Sequence, residues 1–176
     1  MPATIQPSPL TGKNIRLALF GRLRRRAARC YVVSPFLEDY EFEPLDTLSH
    51  FLGKYVDDGC HVILLTCPPA GKVSEVLRKH ELLEKFQRKG VNVRVNASLH
   101  AKVYLFVDDH RPMSMVGSAN MTSGGMEKHI ELALLSHNAA LTSRLEVNIR
   151  RFLDLPGTIT FRRWAMGNRA VRDNDR

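Results

Sequence analysis

The amino-acid sequence predicts an α/β protein with a mixed, mostly parallel β-sheet that carries helices on both faces. Three short β-branched runs, at residues 30–34, 61–66 and 91–95, alternate with two longer segments in which apolar residues recur at helical spacing. This strand-helix-strand-helix-strand order favours parallel strands joined by right-handed crossovers. Further apolar runs complete the predicted sheet: residues 100–107, 113–116 and 130–135.

The amino-terminal region divides into a leader and a basic segment. Residues 1–13 are expected to be an irregular leader, because prolines and a glycine interrupt them. Residues 14–29 can form a basic amphipathic helix. The first buried strand then begins at Cys30 and is stopped by Pro35.

The central elements follow from apolar periodicity and from glycine stop signals. Apolar residues recur at helical spacing between positions 45 and 56, and Gly59 ends this helix. Residues 61–66 form the next strand, and the following helix spans 73–89 and ends at Gly90. These elements supply the two predicted crossovers.

The carboxy-terminal half is predicted to contain a hairpin, a last helix and a tail. Turn-forming residues at 108–112 connect two apolar runs. The last helix spans 139–152, and residues 154–176 form a basic tail. We therefore expect one domain with a core at 30–153, since 176 residues suffice to bury a sizeable core.

The charge distribution indicates a polyanionic partner. The formal net charge is +8, yet residues 30–143 hold 11 basic and 14 acidic side chains. Residues 1–29 carry seven basic side chains and no acid, and residues 144–176 carry eight arginines against four acids. Such basic ends suit a nucleic-acid backbone, with Arg22, Arg25 and Arg26 as candidate phosphate contacts. A solvated helix face is the alternative interpretation of these arginines.

Cysteine spacing and hydropathy argue against several classes of protein. The three cysteines include no CxxC pair, which favours neither a disulfide framework nor a zinc site. The chain does not open with a basic start and an apolar run, and no stretch approaches the roughly 18 apolar residues of a membrane span. We expect a cytoplasmic protein without stable membrane association.

His100 and Lys102 are the strongest chemical signal in the chain. In an extended strand, side chains two residues apart project from the same face, so the two would enter one pocket. An imidazole can attack phosphorus or carry a proton, while a fixed ammonium stabilises charge on the non-bridging oxygens. Ser118 and Asn120 would add neutral hydrogen-bond donors. The set predicts a site for a phosphate ester.

The His-x-Lys pair, the run Gly-Ser-Ala-Asn at 117–120 and the later Glu131 resemble the HKD motif of the phospholipase D superfamily, especially its small bacterial nucleases. The resemblance is detailed between about residues 99 and 131 and looser from about 28 to 152. The motif's usual aspartate position is Val107 here, and the carboxylates follow at Asp108 and Asp109. Asp108 is expected to brace the turn rather than to catalyse.

The resemblance also implies roles for the motif residues. His100 would be the nucleophile in one subunit and the general acid in the other, because this chain carries one such motif where the family uses two. The implied assembly is a two-fold homodimer in which the motifs meet near the axis. Lys102 and Asn120, with Ser118, would hold the phosphoryl oxygens, and Glu131 would accept a hydrogen bond from a catalytic histidine. The resemblance implies no metal and no cofactor.

The function expected from these features is that of a metal-independent phosphodiesterase, most simply a nuclease that cleaves DNA or RNA through a phosphohistidine. Tyr40, Tyr104 and Trp164 are aromatic candidates for stacking on bases. Two alternatives stay open. One is a catalytically weak nucleic-acid-binding module of a restriction, defence or helicase assembly, and the other is a phospholipid phosphodiesterase.

Overall fold

The computed structural model describes residues 8–11, 13–20, 27–43 and 46–173. These residues form strands, α-helices and one π-helical turn. In chain order they are β1 (Ser8–Thr11), α1 (Lys13–Phe20), β2 (Arg29–Val33), β3 (Glu41–Glu43), β4 (Asp46–Thr47), α2 (Leu48–Asp57), β5 (His61–Thr66), α3 (Val73–Arg88), β6 (Asn92–Val95), β7 (Val103–Val107), β8 (Met113–Gly117), the π-helical turn (Gly124–Lys128), β9 (Leu132–Ser136), α4 (Ala139–Leu153), β10 (Ile159–Thr160) and α5 (Phe161–Asp173). Among the described helices, none combines the length and apolar character needed to cross a bilayer.

The main sheet is mixed, with strand order β1-β9-β8-β7-β2-β5-β6-β10. Between described neighbours, the β2–β5 and β5–β6 pairs are parallel and the other pairs are antiparallel. The mixed α/β class is confirmed, but the expectation of a mostly parallel sheet is wrong. Connection length explains the difference: α2 and α3 provide crossovers for the parallel pairs, whereas the segment 96–102 is too short for one.

Alternate residues of the central strands face two separate cores. On β2, Cys30 and Val32 belong to a large cluster shared with α1, α2, α3 and α5. Tyr31 and Val33 point to the other face, where they pack with Ile149 of α4. Helices therefore cover both faces of the sheet, as the sequence predicts. The segment that contains His100 and Lys102 leads into β7, a central strand of this sheet.

The amino-terminal region differs from the expected irregular leader and long helix. Residues Ser8–Thr11 pair with β9 at the edge of the sheet, where Pro9 is tolerated because an edge strand needs no ladder hydrogen bond from it. Helix α1 occupies part of the predicted 14–29 helix, but Arg29 opens β2 and its side chain binds Glu146. Residues 1–7, 12 and 21–26 lie outside the described residues.

The carboxy-terminal segment from 154 to 173 is folded rather than a tail, and residues 174–176 lie outside the described residues. Strand β10 pairs with β6, and Phe161 is buried at the start of α5. The Phe161 ring stacks on Trp164 and meets the edge of His80 on α3. The tail was predicted from the high arginine content of this segment. That prediction overlooked the few apolar residues, such as Phe161, that pack it against the core.

Candidate active site

His100 and Lys102 lie in the segment that leads into β7, and not in the strand itself, which begins at Val103. Two hydrogen bonds fix the backbone of this segment just before His100. The Asn96 side chain accepts a hydrogen bond from the Ser98 amide at 2.8 Å, and the Cys67 thiol donates to the Leu99 carbonyl at 3.4 Å. The expected strand therefore starts three residues later than predicted, because these contacts turn the chain.

The paired geometry that the sequence predicts for His100 and Lys102 is nevertheless present. Lys102 Nζ lies 3.5 Å from His100 Nδ1 and donates a 2.9 Å hydrogen bond to the His100 carbonyl. The imidazole is exposed, and the ammonium is held beside it by this backbone contact. The arrangement places a nucleophile or proton carrier next to a fixed positive charge at an open surface.

The end of β8 brings the second part of the motif to the same place. The Gly117 amide donates to the Lys102 carbonyl at 3.3 Å, so Ser118 follows directly beside the His100–Lys102 segment. A Cβ on Gly117 would lie 2.5 Å from the Leu132 carbonyl oxygen, and only glycine permits this close approach. The backbone contact explains why a glycine precedes the serine.

Ser118 and Glu131 form a direct pair. The Ser118 hydroxyl donates to the Glu131 carboxylate and accepts a 3.1 Å hydrogen bond from the Leu132 amide. A serine hydroxyl has one donor, so this arrangement leaves none for a phosphoryl oxygen. In the described protomer the Glu131 carboxylate bonds to Ser118, not to His100, and a substrate contact by Ser118 stays a prediction. A hydrogen bond from Glu131 to a catalytic histidine stays a prediction.

Asn120 is held in place through its neighbours. Tyr104 donates a 2.7 Å hydrogen bond to the Ala119 carbonyl, and Ser34 accepts a 3.0 Å hydrogen bond from the Met121 amide. The Asn120 side-chain oxygen is buried and has no hydrogen-bond partner among the described residues. This oxygen can only accept a hydrogen bond, so a phosphoryl oxygen would have to be held by the Asn120 amide nitrogen, and that contact stays a prediction.

Tyr104 and Ser34 are site-forming residues that the sequence argument did not assign. Tyr104 is 2% exposed, so its expected role in stacking on bases is wrong. Burial raises the pKa of Tyr104; a hydrogen bond with Ser34 lowers it in part, and the Glu131 charge raises it further. The phenol therefore stays protonated and keeps donating to the Ala119 carbonyl. The alternation of β7, with Tyr104 two residues after Lys102, was the available signal.

Asp108 lies away from the site. Its Oδ1 accepts hydrogen bonds from the amides of His110 at 2.7 Å and Arg111 at 3.4 Å, which is the turn-bracing geometry expected for it. It follows the far end of the five-residue strand β7, which separates it from Lys102 by about 20 Å along the chain.

The predicted phosphate contacts Arg22, Arg25 and Arg26 lie outside the described residues. Across the part of the chain that the structure describes, no group of three or more His, Cys, Asp or Glu side chains is placed to hold a metal ion.

The mixed sheet and the His100–Lys102 pair at the start of β7 define the class of this protein as phospholipase D-like. A family profile described as "Cardiolipin synthase, PLD-like domain" matches residues 22–153. The chain therefore belongs to this PLD-like domain family, within the phospholipase D superfamily. No curated protein sequence matches the chain significantly.

Solved structures share the fold at low sequence identity. Nuc from Salmonella typhimurium, a phospholipase D family member, is 15% identical with a TM-score of 0.64, over 88% of this chain and 98% of Nuc. NucT from Helicobacter pylori is 15% identical with a TM-score of 0.62, over 89% of this chain and 99% of NucT. Phosphatidylserine synthase from Haemophilus influenzae Rd KW20 is 16% identical with a TM-score of 0.62, over 91% of this chain and 41% of the synthase.

Proposed function

We propose that this protein is a metal-independent phosphodiesterase that cleaves DNA or RNA through a phosphohistidine, at a site completed by two copies of the chain. The observation that carries the proposal is the exposed His100 imidazole with the Lys102 ammonium fixed beside it. His100 attacks phosphorus in one subunit, and the partner's copy of the same histidine protonates the leaving oxygen. Lys102 and Asn120 stabilise the negative charge that accumulates on the phosphoryl oxygens.

An exposed apolar surface supports the proposed homodimer. Val116, Leu132 and Leu134 share one face of β8 and β9 and are between 39% and 57% exposed; we call them the β8–β9 apolar patch. Ile130, just before Glu131, is fully exposed as well. The patch adjoins Ser118 and Glu131, so a two-fold interface formed by it would bring the two motifs toward one axis.

Charge supports a nucleic acid as the substrate. The net charge of +8 is concentrated at the two ends of the sequence. Five described arginines of the carboxy-terminal third are exposed in the structure: Arg144, Arg150, Arg151, Arg162 and Arg163. Arginines of this kind neutralise backbone phosphates without reading the sequence, so we propose little base specificity. The cytoplasm is the proposed compartment, in keeping with three free cysteines.

The experiment that tests the function compares substrates in one assay. Purified protein is incubated in excess EDTA with plasmid, single-stranded DNA, RNA and phosphatidylcholine vesicles. Cleavage of a nucleic acid that His100→Ala abolishes, with unchanged thermal unfolding, supports the proposal. Cleavage of phosphatidylcholine alone would instead establish the lipid phosphodiesterase, which the fold shared with phosphatidylserine synthase keeps as the second candidate.

Subunit mixing tests the shared site. Wild-type and His100→Ala chains are denatured together, refolded and assayed across a range of ratios. If both histidines are needed, only wild-type pairs are active, and activity at equal mixing falls to about one quarter of the all-wild-type value. A linear decrease to about one half would mean that each subunit works alone. Nucleic-acid binding without cleavage in any mixture would favour the catalytically weak binding module.

A further inference from the structure

A cleft of about 730 Å³ opens beside the candidate active site and is not used by the proposed chemistry. It lies where β2 and β5 end, between residues 36–40, residues 67–70 and helix α3. One wall contacts the segment that carries His100, and the other contacts Asn120. Cys67, which lines the cleft, donates to the carbonyl of Leu99, the residue before His100. Thr122, also in the lining, donates its amide to the Asn120 carbonyl at 2.8 Å.

Phe36 is a largely exposed aromatic side chain that lines this cleft. Its ring is 59% exposed, although the backbone that carries it is firmly held. The Ser34 hydroxyl donates to the Phe36 carbonyl at 2.8 Å, and Thr66 donates to the Pro35 carbonyl at 3.0 Å. An exposed aromatic ring on a rigid backbone is a ready platform for another flat ring, because little conformational entropy is lost when the two stack.

Lys79 adds a positive charge next to the Phe36 ring. Its ammonium lies over one face of the Phe36 ring, 5.8 Å from the centroid, and donates a 3.2 Å hydrogen bond to the Pro35 carbonyl. A base would stack on the part of the ring that this ammonium leaves open. Burial lowers the pKa of Lys79, and a smaller effect of Cys67 opposes this. An ammonium so placed still has donors for the carbonyl oxygen or ring nitrogen of a base.

The charges that line the cleft are close to balance, so they give a phosphate no net attraction. Glu38, Asp39 and Glu75 contribute three carboxylates against the two cations Arg78 and Lys79, and Lys85 neutralises Asp39. Asp39 is bound by Lys85 and Ser49, and Glu38 accepts a 2.9 Å hydrogen bond from the Ser123 amide. The cleft therefore suits an uncharged planar group, while the phosphate remains at the His100–Lys102 pair.

We infer that this cleft holds the nucleobase next to the scissile phosphate, stacked on Phe36 and contacted by Lys79. The inference rests on the proposed function and adds to it how the substrate is held. A stacked base must be unpaired or at a frayed end, so the protein should prefer single-stranded over duplex substrates. Phe36 is a binding residue in this scheme and takes no part in the bond-making steps.

The test uses a short single-stranded oligonucleotide in which one linkage is a phosphodiester and the others are methylphosphonates, so that the cleavage position is fixed. Intact oligonucleotides are compared with versions that lack the base on one or the other side of this linkage. Phe36→Ala should lower kcat/KM on the intact substrate by about 5- to 150-fold, mainly through KM, and Phe36→Tyr should restore it. On the oligonucleotide that lacks the stacked base, Phe36→Ala and wild type should cleave equally.

A fluorescent base gives a readout that does not depend on cleavage. With 2-aminopurine at the same position, binding to the His100→Ala protein should quench its emission, and adding Phe36→Ala should remove the quenching. Met166→Ala, which alters an exposed apolar residue on α5, is the matched control and should change neither result.

The outcomes separate the inference from the function on which it rests. Equal losses for Phe36→Ala on intact and base-lacking substrates, or no loss on either, overturn the base site and leave the nuclease proposal standing. A wild-type protein that cleaves neither DNA nor RNA overturns both.

Discussion

The hydroxyl of Tyr104 donates a 2.7 Å hydrogen bond to the carbonyl of Ala119, across the pair of strands that carries the motif. Tyr104 lies two residues after Lys102, and Ala119 lies between Ser118 and Asn120. One buried contact therefore fixes the distance between the two halves of the candidate site. Because the phenol is buried, the contact is protected from competition by water.

Removing this contact should reduce catalysis as well as stability. Tyr104→Phe leaves the Ala119 carbonyl without its partner, which should cost about 1–3 kcal/mol in the free energy of unfolding. It should also lower kcat, because Asn120 loses its support. Tyr31→Phe is the matched control, since that buried hydroxyl bonds to Glu146 on the other face of the sheet. Urea unfolding and steady-state kinetics should show destabilisation in both variants and loss of kcat only in Tyr104→Phe; equal kcat in the two would contradict the positioning role.

Gly125 gives a second test of how Asn120 is positioned. A Cβ at residue 125 would lie 2.5 Å from the carbonyl oxygen of Asn120 and 2.8 Å from its amide nitrogen. Gly125→Ala must therefore displace the Asn120 backbone, and we expect a loss of about 1–3 kcal/mol of stability together with a lower kcat. Gly167→Ala is the control, because a Cβ there meets nothing within 4 Å and alanine favours a helix. Wild-type activity in a stably folded Gly125→Ala protein would show that Asn120 tolerates displacement.

The sequence predicted that His100 and Lys102 lie together because this information is local. His100 and Lys102 are two residues apart, so any extended backbone places them on one side, whether or not it belongs to a strand. The turn at 108–112 predicted the β7–β8 hairpin, which is local, but pairing between distant strands is not local, and for this reason the antiparallel pairing of β7 with β2 was not foreseen. The alternating order of the first elements described β2, β5 and β6 correctly but did not extend to the later strands.

Side-chain partners were the hardest feature to predict. Nothing in the spacing of Ser118 and Glu131 shows that the serine hydroxyl bonds to the carboxylate; that follows from the register of β8 against β9. Phe36 is similar, because nothing in the sequence around Pro35 distinguishes it as a binding residue. Only the hydrogen bonds to its backbone and the closeness of Lys79 distinguish it.

The buried Glu146 should make stability depend on acid pH. Its carboxylate binds Arg29 at 2.6 Å, the Tyr31 hydroxyl at 2.8 Å and Arg150 at 3.0 Å. Burial opposes ionisation, but these hydrogen bonds prevail and lower the pKa of Glu146 from 4.5 to about 2. The depressed pKa contributes stability that is fully present above pH 4.5 and is lost as pH falls toward 2, by about 2–3 kcal/mol in total.

The measurement is the free energy of unfolding by urea at several pH values between 6 and 2. Glu146→Gln should be less stable than wild type at pH 6 and should show a smaller decrease toward pH 2. Glu84→Gln, which removes a half-exposed carboxylate on α3, is the control and should follow the wild-type curve. Parallel curves for wild type and Glu146→Gln would rule out this carboxylate as the source of the acid sensitivity.

The β8–β9 apolar patch should decide both the oligomeric state and the activity. Leu134 is 49% exposed, so Leu134→Asp places a charge on the surface without disturbing the core of the protomer. If the patch forms the two-fold interface, a desolvated carboxylate on each side of the axis opposes association, and light scattering should report monomers. Cleavage should be lost with the dimer, because His100 of one subunit then has no partner motif. Met166→Asp introduces the same charge at an exposed site on α5 and should leave mass and activity unchanged. A monomeric Leu134→Asp protein with wild-type kcat would end the shared-site proposal, since one His-x-Lys motif would then suffice for the whole reaction.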